Sequence, residues 1–175
     1  YGSAMRDPHV EGAFRHLLLC DAVQCEPVAP GVALQHAALA EPFSVALHGV
    51  QRAGPLLGKR VLVSGCGPIG ALSIAAARIH GAAEITAVDL TDETLAIARA
   101  MGADVTINVA QDTGWLQRYA ADGITRKGTF DVMLECSGNE RALRAGDFVE
   151  ARRLTARMDA IADGIGRRLR RERMN

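Results

Sequence analysis

The sequence is short of cysteine, has no long apolar run and carries no excess of charge of either sign. Its four cysteines, among 175 residues, form no C-x-x-C pair, which argues against a disulfide scaffold and against a complete structural zinc site. No uninterrupted apolar run approaches the ~20 residues of a membrane-spanning helix. Acidic and basic side chains balance at 20 each, so nothing general indicates nucleic acid. Because nothing near Tyr1 resembles a signal peptide, we expect a cytoplasmic protein. From the short apolar runs and the balanced charge we expect neither membrane nor nucleic-acid partners.

The charges that are present are unevenly distributed. Residues 1–146 hold 12 basic and 15 acidic side chains, whereas residues 147–175 hold 8 and 5, and all eight bases are arginine. This shift predicts a boundary near Gly146. Apolar residues recur in the tail at helical spacing, at Leu154, Met158, Ile161, Ile165 and Leu169. Three interpretations stay open: an amphipathic helix over the sheet, an out-of-frame read-through, or a basic helix that binds a partner.

Hydrophobic patterning predicts alternating strands and helices. A short apolar run at 12–20 favours a strand, and helices are expected at 34–40 and 42–53. Four further strands are expected at 60–64, 84–90, 105–109 and 130–136, with helices between them. Such spacing is typical of βαβ units, so the fold class is α/β, with a doubly wound parallel sheet and helices on both faces.

A glycine-rich G-x-G-x-x-G segment follows the first strand of this series and opens a helix. Gly65 allows a tight turn, Gly67 lets a pyrophosphate approach the backbone, and Gly70 permits close packing of helix on strand. Pro68 and Ile69 begin the helix whose N-terminus would bind the pyrophosphate. The sequence therefore predicts a dinucleotide site, with a purely structural glycine turn, a flavin site or an S-adenosylmethionine site as alternatives.

Asp89 supplies the second part of this pattern. It ends the second strand of the series, 19 residues after Gly70, where a carboxylate accepts hydrogen bonds from the ribose 2′-OH and repels a 2′-phosphate. Asp89 and its neighbour Leu90 are therefore predicted to contact the cofactor, and NAD is favoured over NADP. The alternative is a surface aspartate at a strand end.

The cysteines divide into two pairs. Cys136 and Ser137 follow the last predicted strand, where a turn either faces the cofactor or is only a tight turn. Cys66 lies inside the glycine segment and is expected to be a small filler and not a reactive thiol. Cys20 and Cys25 fit no usual metal-ligand spacing, and we expect structural roles for both.

Several passages resemble the zinc-dependent medium-chain dehydrogenases, and within them the polyol branch of sorbitol, xylitol and L-idonate dehydrogenases. These passages are AEPFSVALH at 40–48, GKRVLVSGCGPIG at 58–70, and VDL at 88–90 together with AMGAD at 100–104. The likeness covers about residues 1–145.

The resemblance implies an oxidoreductase that moves a hydride between NAD and the alcohol of a polyol or sugar acid, with L-idonate as the first substrate to consider. Zinc would activate the alcohol oxygen, and Glu41 matches a position that supplies a carboxylate to that zinc. Val45, one helical turn later, matches a position that packs against the nicotinamide. The family also implies a homo-oligomer.

The domain arrangement also follows from the resemblance. Residues 1–54 would be the end of a GroES-like catalytic domain, 55–146 four strands of a Rossmann-type NAD-binding domain, and 147–175 the tail. The family's other zinc ligands would lie upstream, and its last strands would lie where the tail is. We therefore expect a chain that is incomplete at both ends and lacks a full zinc site. A non-catalytic nucleotide-binding fragment or pseudoenzyme, or a zinc-independent reductase, are the alternatives.

Overall fold

A computed structural model describes residues 12–119, 129–139, 142 and 156–157. Its strands are β1 (Arg60–Ser64), β2 (Glu84–Asp89), β3 (Val105–Asn108), β4 (Val132–Glu135) and β5 (Ala156–Arg157), and its α-helices are α1 (Leu34–Ala37), α2 (Ala40–Ala53), α3 (Pro68–Ile79), α4 (Asp92–Ala100) and α5 (Trp115–Tyr119). The strands form one sheet in the order β3-β2-β1-β4-β5, and every pairing is parallel. The predicted α/β class and parallel sheet are confirmed.

Helices cover both faces of the sheet, as the prediction required. Val61 and Val63 of β1 point into a core that is completed by side chains of α2, α3 and α4. Leu62, which lies between them in the strand, packs in a second core with Trp115 of α5. Because successive side chains of a strand point to opposite faces, a strand buried on both sides reads as the continuous apolar run seen at β1.

Helix α2 differs from its prediction at the start. Glu41 and Pro42 do not interrupt the chain before the helix, because α2 already begins at Ala40. A proline in the first turn lacks only an N–H that has no intrahelical partner there, so the helix continues through it. Glu41 is confirmed as an acidic residue of the first turn, and Gly54, with φ of 86°, ends the helix.

The strand predicted at 12–20 is wrong. These residues are not paired in the described sheet, and Phe14, Leu17 and Leu19 are largely exposed. An apolar run becomes a strand only where a neighbouring strand accepts its hydrogen bonds, and none of the described strands does so here. In the described part of the chain, no helix is long and apolar enough to cross a membrane.

The helix predicted over the arginine-rich tail lies outside the described residues, except at Ala156–Arg157. Those two residues are extended and pair with Leu134 and Glu135 of β4, so the helix prediction is wrong at this point. The physical reason is the open edge of β4, whose backbone groups are paired by a further strand. The boundaries proposed at residues 54 and 146 stay predictions.

At the edge where the strands begin, Arg78 of α3 holds three neighbouring segments together. Its guanidinium donates to the carbonyl oxygens of Ala82 at 3.0 Å and Gly102 at 2.7 Å, and it forms an ion pair with Asp104. Asp104 also accepts the N–H of Ile85 at 2.7 Å. Partial burial alone would raise the pKa of Asp104, but the hydrogen bonds from Ile85 and Arg78 outweigh it and lower the pKa.

We expect Asp104→Asn to lower the stability of the fold by about 1 kcal/mol or less at neutral pH, because the side chain of Asp104 is 44% exposed and the pair is screened by solvent. A carboxyl group whose pKa is lowered on folding stabilises the protein above its unfolded pKa of about 4, and that contribution is lost as the pH falls through the folded pKa. The difference in Tm between wild type and variant should therefore shrink on acidification. Glu93→Gln, an equal charge change at an exposed residue of α4, is the control. A difference in Tm that is constant with pH would contradict this account.

Candidate functional site

The carboxyl ends of β1 and β4 meet where the chain changes direction across the sheet. From β1 the chain proceeds to β2 and β3 on one side, and then returns to β4 on the other. The segment after β1 and the turn after β4 therefore leave the sheet side by side, and the region in front of these two strand ends is called the crevice below. Such a switch point is the usual ligand site of an open parallel sheet.

Gly65 makes the turn that leaves β1. Its φ is +88°, and a Cβ there would lie 2.6 Å from the backbone nitrogen of Ser137. Its own N–H donates to the carbonyl of Val88 at 2.9 Å, which joins the turn to β2. Gly65 is therefore required by the fold, both for its backbone conformation and for the approach of the turn after β4.

Gly70, in the first turn of α3, lets the helix pack on the segment after β1. A Cβ at Gly70 would lie 1.9 Å from the carbonyl oxygen of Gly65, far inside van der Waals contact with backbone atoms. The separation between α3 and this turn is therefore set by the missing side chain, as the sequence predicted for the last glycine of the segment.

Gly67 is different, because nothing in the described fold requires it to be glycine. Its φ of −63° is accessible to any residue, and a Cβ there would meet no atom within 4 Å. Gly67 precedes α3, and its neighbour Pro68 is the first residue of that helix; no described side chain caps the helix N-terminus. The first N–H groups of a helix lack intrahelical partners and attract anions. The open space in front of Gly67 is therefore suited to a phosphate group.

Asp89 lies beside this space, between the segment after β1 and the end of β2. One carboxylate oxygen accepts the N–H of Cys66 at 2.5 Å, and the other accepts the N–H of Leu90 at 2.6 Å. Asp89 is half-buried, whereas the apolar side chain of Leu90 is 64% exposed. The structure thus brings a fixed carboxylate and an exposed apolar surface to the same edge of the sheet as Gly67.

Cys136 and Ser137 lie on the opposite side of the crevice, in the turn after β4. The N–H of Cys136 donates to the carbonyl of Ser64 at 2.7 Å, and its thiol contacts the hydroxyl of Ser73 at 3.7 Å. Ser137 is exposed and its backbone approaches Gly65. Ser137 therefore lies exposed on the β4 side of the crevice, whereas the thiol of Cys136 faces α3.

Glu135, the last residue of β4, was not predicted as part of this site. It is 2% exposed, and one of its carboxyl oxygens accepts the N–H groups of Ser137 at 2.8 Å and Gly138 at 3.1 Å. The same oxygen accepts the hydroxyl of Ser137. A charged residue at the end of an otherwise apolar strand is the sequence signal for such a group, because a buried carboxyl needs hydrogen-bonding partners. Glu135 holds the turn that faces Gly65.

The two cysteines of this region are poor nucleophiles. Burial, and after it the charge of Asp89, raises the pKa of Cys66 to about 12, and its thiol contacts the carbonyl oxygen of Val88 at 3.6 Å. Burial also raises the pKa of Cys136 to about 12. A thiol with such a pKa holds its proton at neutral pH, so Cys66 is suited to the filler role that was expected for it.

Glu41 and Val45 lie one turn apart on α2. Glu41 is exposed, and Val45 is half-buried against the core formed by α2, α3 and α4. Among the described residues, no group of three or more His, Cys, Asp and Glu side chains could hold a metal ion. Because a catalytic zinc needs about three protein ligands, the described residues do not fit a complete zinc site, and the metal role of Glu41 stays a prediction.

Comparisons with known proteins agree with the motifs. A model of the zinc-binding dehydrogenase family matches residues 68–153. The L-idonate 5-dehydrogenase (NAD(P)(+)) of Escherichia coli K12 is 41% identical over 139 residues, which are 79% of this chain and 39% of that protein. Bovine sorbitol dehydrogenase is 35% identical over 124 residues, which are 71% of this chain and 35% of the relative.

A solved structure extends the likeness to the fold. The crystal structure of L-idonate 5-dehydrogenase from Escherichia coli matches with a TM-score of 0.72 and 39% identity, and the match covers 82% of this chain and 40% of that one. The chain therefore spans about two fifths of the length of this relative. The family indicated by the sequence is confirmed, and the chain belongs to the zinc-binding medium-chain dehydrogenases.

Proposed function

We propose that this chain supplies the dinucleotide-binding part of an NAD-linked polyol dehydrogenase. The observation that carries the proposal is Gly67, a glycine that neither its backbone conformation nor its neighbours require. A bound pyrophosphate supplies the missing reason, because it would occupy the space that a side chain would fill. Gly65 and Gly70 shape the turn around that space, and the N-terminus of α3 supplies N–H groups for the phosphate oxygens.

Each remaining residue of the crevice has a place in this proposal. Asp89 would accept the ribose hydroxyls, and its charge would disfavour a 2′-phosphate, so that NAD binds better than NADP. Leu90 would offer its exposed apolar side chain to the adenine. Cys136 and Ser137 would line the nicotinamide half of the crevice, and Val45 would pack against the ring. The bound dinucleotide would accept or donate a hydride, and the chain's own residues orient it.

The substrate class follows from the relatives. Their names include L-idonate 5-dehydrogenase and sorbitol dehydrogenase, so we propose a small polyol or sugar acid as the substrate, and L-idonate as the first to test. Glu41 would contribute a carboxylate to the zinc ion that activates the alcohol. The described residues do not supply the other ligands of that ion. Formation of NADH from L-idonate, compared with sorbitol, tests the substrate. We also propose that the protein is cytoplasmic and forms a homo-oligomer, the latter because the resemblance to the family implies it.

The binding proposal is tested by titration of the protein with NADH, followed by the change in nicotinamide fluorescence. We expect Gly67→Val to weaken NADH binding at least ~10-fold, because the side chain would fill the space before α3 and keep the pyrophosphate from the helix N-terminus. Its urea unfolding midpoint should fall only slightly, because a Cβ at Gly67 meets no atom within 4 Å and replacing glycine at the N-cap of α3 costs about 1 kcal/mol.

A matched control separates this effect from a general effect of valine. Gly12 also has no neighbour within 4 Å of an added Cβ, and it lies outside the crevice, so Gly12→Val should bind NADH like the wild type. Equal NADH affinity of Gly67→Val and wild type would refute the proposed pyrophosphate position. No NADH binding by the wild type would refute the function, whereas binding without turnover of either substrate would favour a non-catalytic nucleotide-binding protein.

A further inference from the structure

Two thiols lie in contact in the segment before α1, away from the crevice. The sulfur atoms of Cys20 and Cys25 are 3.6 Å apart, and Cys25 is exposed. A short 3-10 helix, Ala22–Gln24, brings them together. Within it the N–H of Gln24 donates to the carbonyl of Asp21 at 2.9 Å, and the N–H of Cys25 donates to that of Ala22 at 3.0 Å. Backbone hydrogen bonds and not burial therefore fix the approach of the two sulfur atoms.

These thiols differ from the other pair of cysteines. Burial raises the pKa of Cys66 and of Cys136 to about 12. At neutral pH this lowers the fraction of thiolate about 1,000-fold relative to a cysteine with the ordinary pKa of about 9. Cys20 and Cys25 lie outside the core, where a reagent in solution can reach them. Because the thiolate is the attacking species, oxidation is directed to half-buried Cys20 and exposed Cys25.

We propose that Cys20 and Cys25 form a redox modification site, at which a low-molecular-weight disulfide such as oxidised glutathione converts the two thiols to an intramolecular disulfide. The thiolate of one cysteine attacks a sulfur of oxidised glutathione, forms a mixed disulfide and expels one glutathione thiolate. The second cysteine, as thiolate, attacks the protein sulfur of that mixed disulfide and expels the second glutathione. The two cysteines lose two electrons and two protons, and one oxidised glutathione becomes two reduced ones.

The geometry favours the second of these steps. The sulfur atoms need to approach from 3.6 Å to the ~2.05 Å of a disulfide bond. Their surroundings permit this movement, because residues 21–24 are exposed and none packs in either core. The hydrogen bond and charge of Cys20 raise the pKa of the Cys25 thiol, but that charge is gone once Cys20 has formed the mixed disulfide, so it does not oppose the attack by Cys25. The resolving thiol is already in contact with the sulfur it must attack.

The site is tested by mass spectrometry of the full chain after incubation with oxidised glutathione and quenching with iodoacetamide. Trypsin releases residues 16–52 as one peptide that contains Cys20 and Cys25 and no other cysteine. We expect this peptide to lose two hydrogen atoms and to take up no carbamidomethyl group. The peptides with Cys66 and Cys136 should stay unmodified by glutathione, which provides an internal control.

Two variants separate the proposed disulfide from simple exposure. Cys20→Ser keeps the exposed thiol of Cys25 and Cys25→Ser keeps the half-buried thiol of Cys20, so each variant should stop at the glutathione mixed disulfide and keep the added mass. Treatment with dithiothreitol should restore the wild-type peptide to two free thiols. A stable glutathione adduct on wild-type residues 16–52, unreacted thiols there, or a disulfide between two chains would overturn the proposal.

Discussion

Gly70→Ala is expected to destabilise the fold by about 3 kcal/mol, because the added methyl group has no room between α3 and the turn after β1. The added methyl group would lie 1.9 Å from the carbonyl oxygen of Gly65. This neighbour is backbone, so the clash is relieved only if α3 moves away from the sheet or if the turn after β1 shifts. Alanine is favoured over glycine in a helix by about 0.5–1 kcal/mol, which is too little to compensate.

A shift of this turn would also be transmitted to the rest of the crevice. The N–H of Gly65 is bonded to Val88, and that of Cys66 to Asp89, so displacement of the turn strains both hydrogen bonds to β2. Gly70→Ala should therefore lose NADH affinity as well as stability. Gly67→Ala is the matched control, since its added Cβ meets nothing within 4 Å, and its unfolding free energy should fall by no more than about 1 kcal/mol, because alanine is a poorer N-cap than glycine.

Urea unfolding followed by far-UV circular dichroism measures both variants under the same conditions. The expected order of midpoints places Gly67→Ala slightly below the wild type and Gly70→Ala well below both. If the two variants were equally stable, the close packing of α3 on the turn after β1 would not be what glycine 70 provides. If Gly67→Ala were the less stable of the two, glycine 67 would be needed for the stability of the fold, and the proposal that it makes room for a ligand would be contradicted.

Asp89→Asn is expected to change the choice of coenzyme, with the ratio of NADPH to NADH affinity rising by about 10- to 100-fold. The substitution removes the negative charge that would repel a 2′-phosphate and keeps one oxygen, which can still accept the N–H of Cys66, as Asp89 does at 2.5 Å. The amide NH2 group replaces the oxygen that accepts the N–H of Leu90. NADH binding should therefore weaken as well, because the remaining oxygen is shared between Cys66 and the ribose hydroxyls. The gain for NADPH should diminish at high salt, as an electrostatic effect does.

Asp92→Asn serves as the control for this experiment. Asp92 is an exposed carboxylate in the first turn of α4, and it accepts the side-chain amide of Asn108 at 2.7 Å. The substitution removes the same charge three residues away, so it should leave the coenzyme ratio nearly unchanged. Titrations of both variants with NADH and NADPH measure the ratio. An unchanged ratio in Asp89→Asn, or an equal rise in both variants, would contradict the assignment of coenzyme discrimination to Asp89.

The regular elements of the sheet were predictable because their patterns are local. β1 occupies the residues expected for it, since a continuous run of apolar β-branched side chains suits a strand with both faces buried. The first strand, expected at 12–20, failed because apolarity alone does not supply a hydrogen-bonding neighbour. The start of α2 was misplaced by two residues, because Pro42 was treated as the beginning of the helix when it lies within the first turn.

The residues of the candidate site could be predicted where their role depends on neighbours close in sequence. The glycines, the helix that follows them and Asp89 could be named from spacing alone. Glu135 was missed, because the apolar strand around it directs attention to packing, and only the turn after β4 shows which N–H groups its carboxyl accepts. The contact between Cys20 and Cys25 was missed for a similar reason, since a spacing that suits no metal still permits two sulfur atoms to meet through a short helical turn.

The sequence by itself determined the alternation of strands and helices, the order of the glycines and the carboxylate that follows them, because each depends on short-range periodicity and on residue chemistry. Only the tertiary structure showed that the three glycines are required for different reasons. A side chain at Gly65 would collide with Ser137, and one at Gly70 would collide with Gly65, whereas an added Cβ at Gly67 would meet no atom within 4 Å. A shortage of neighbours is visible only when the sheet has brought the ends of β1 and β4 together, and that empty space is the feature that points to a ligand.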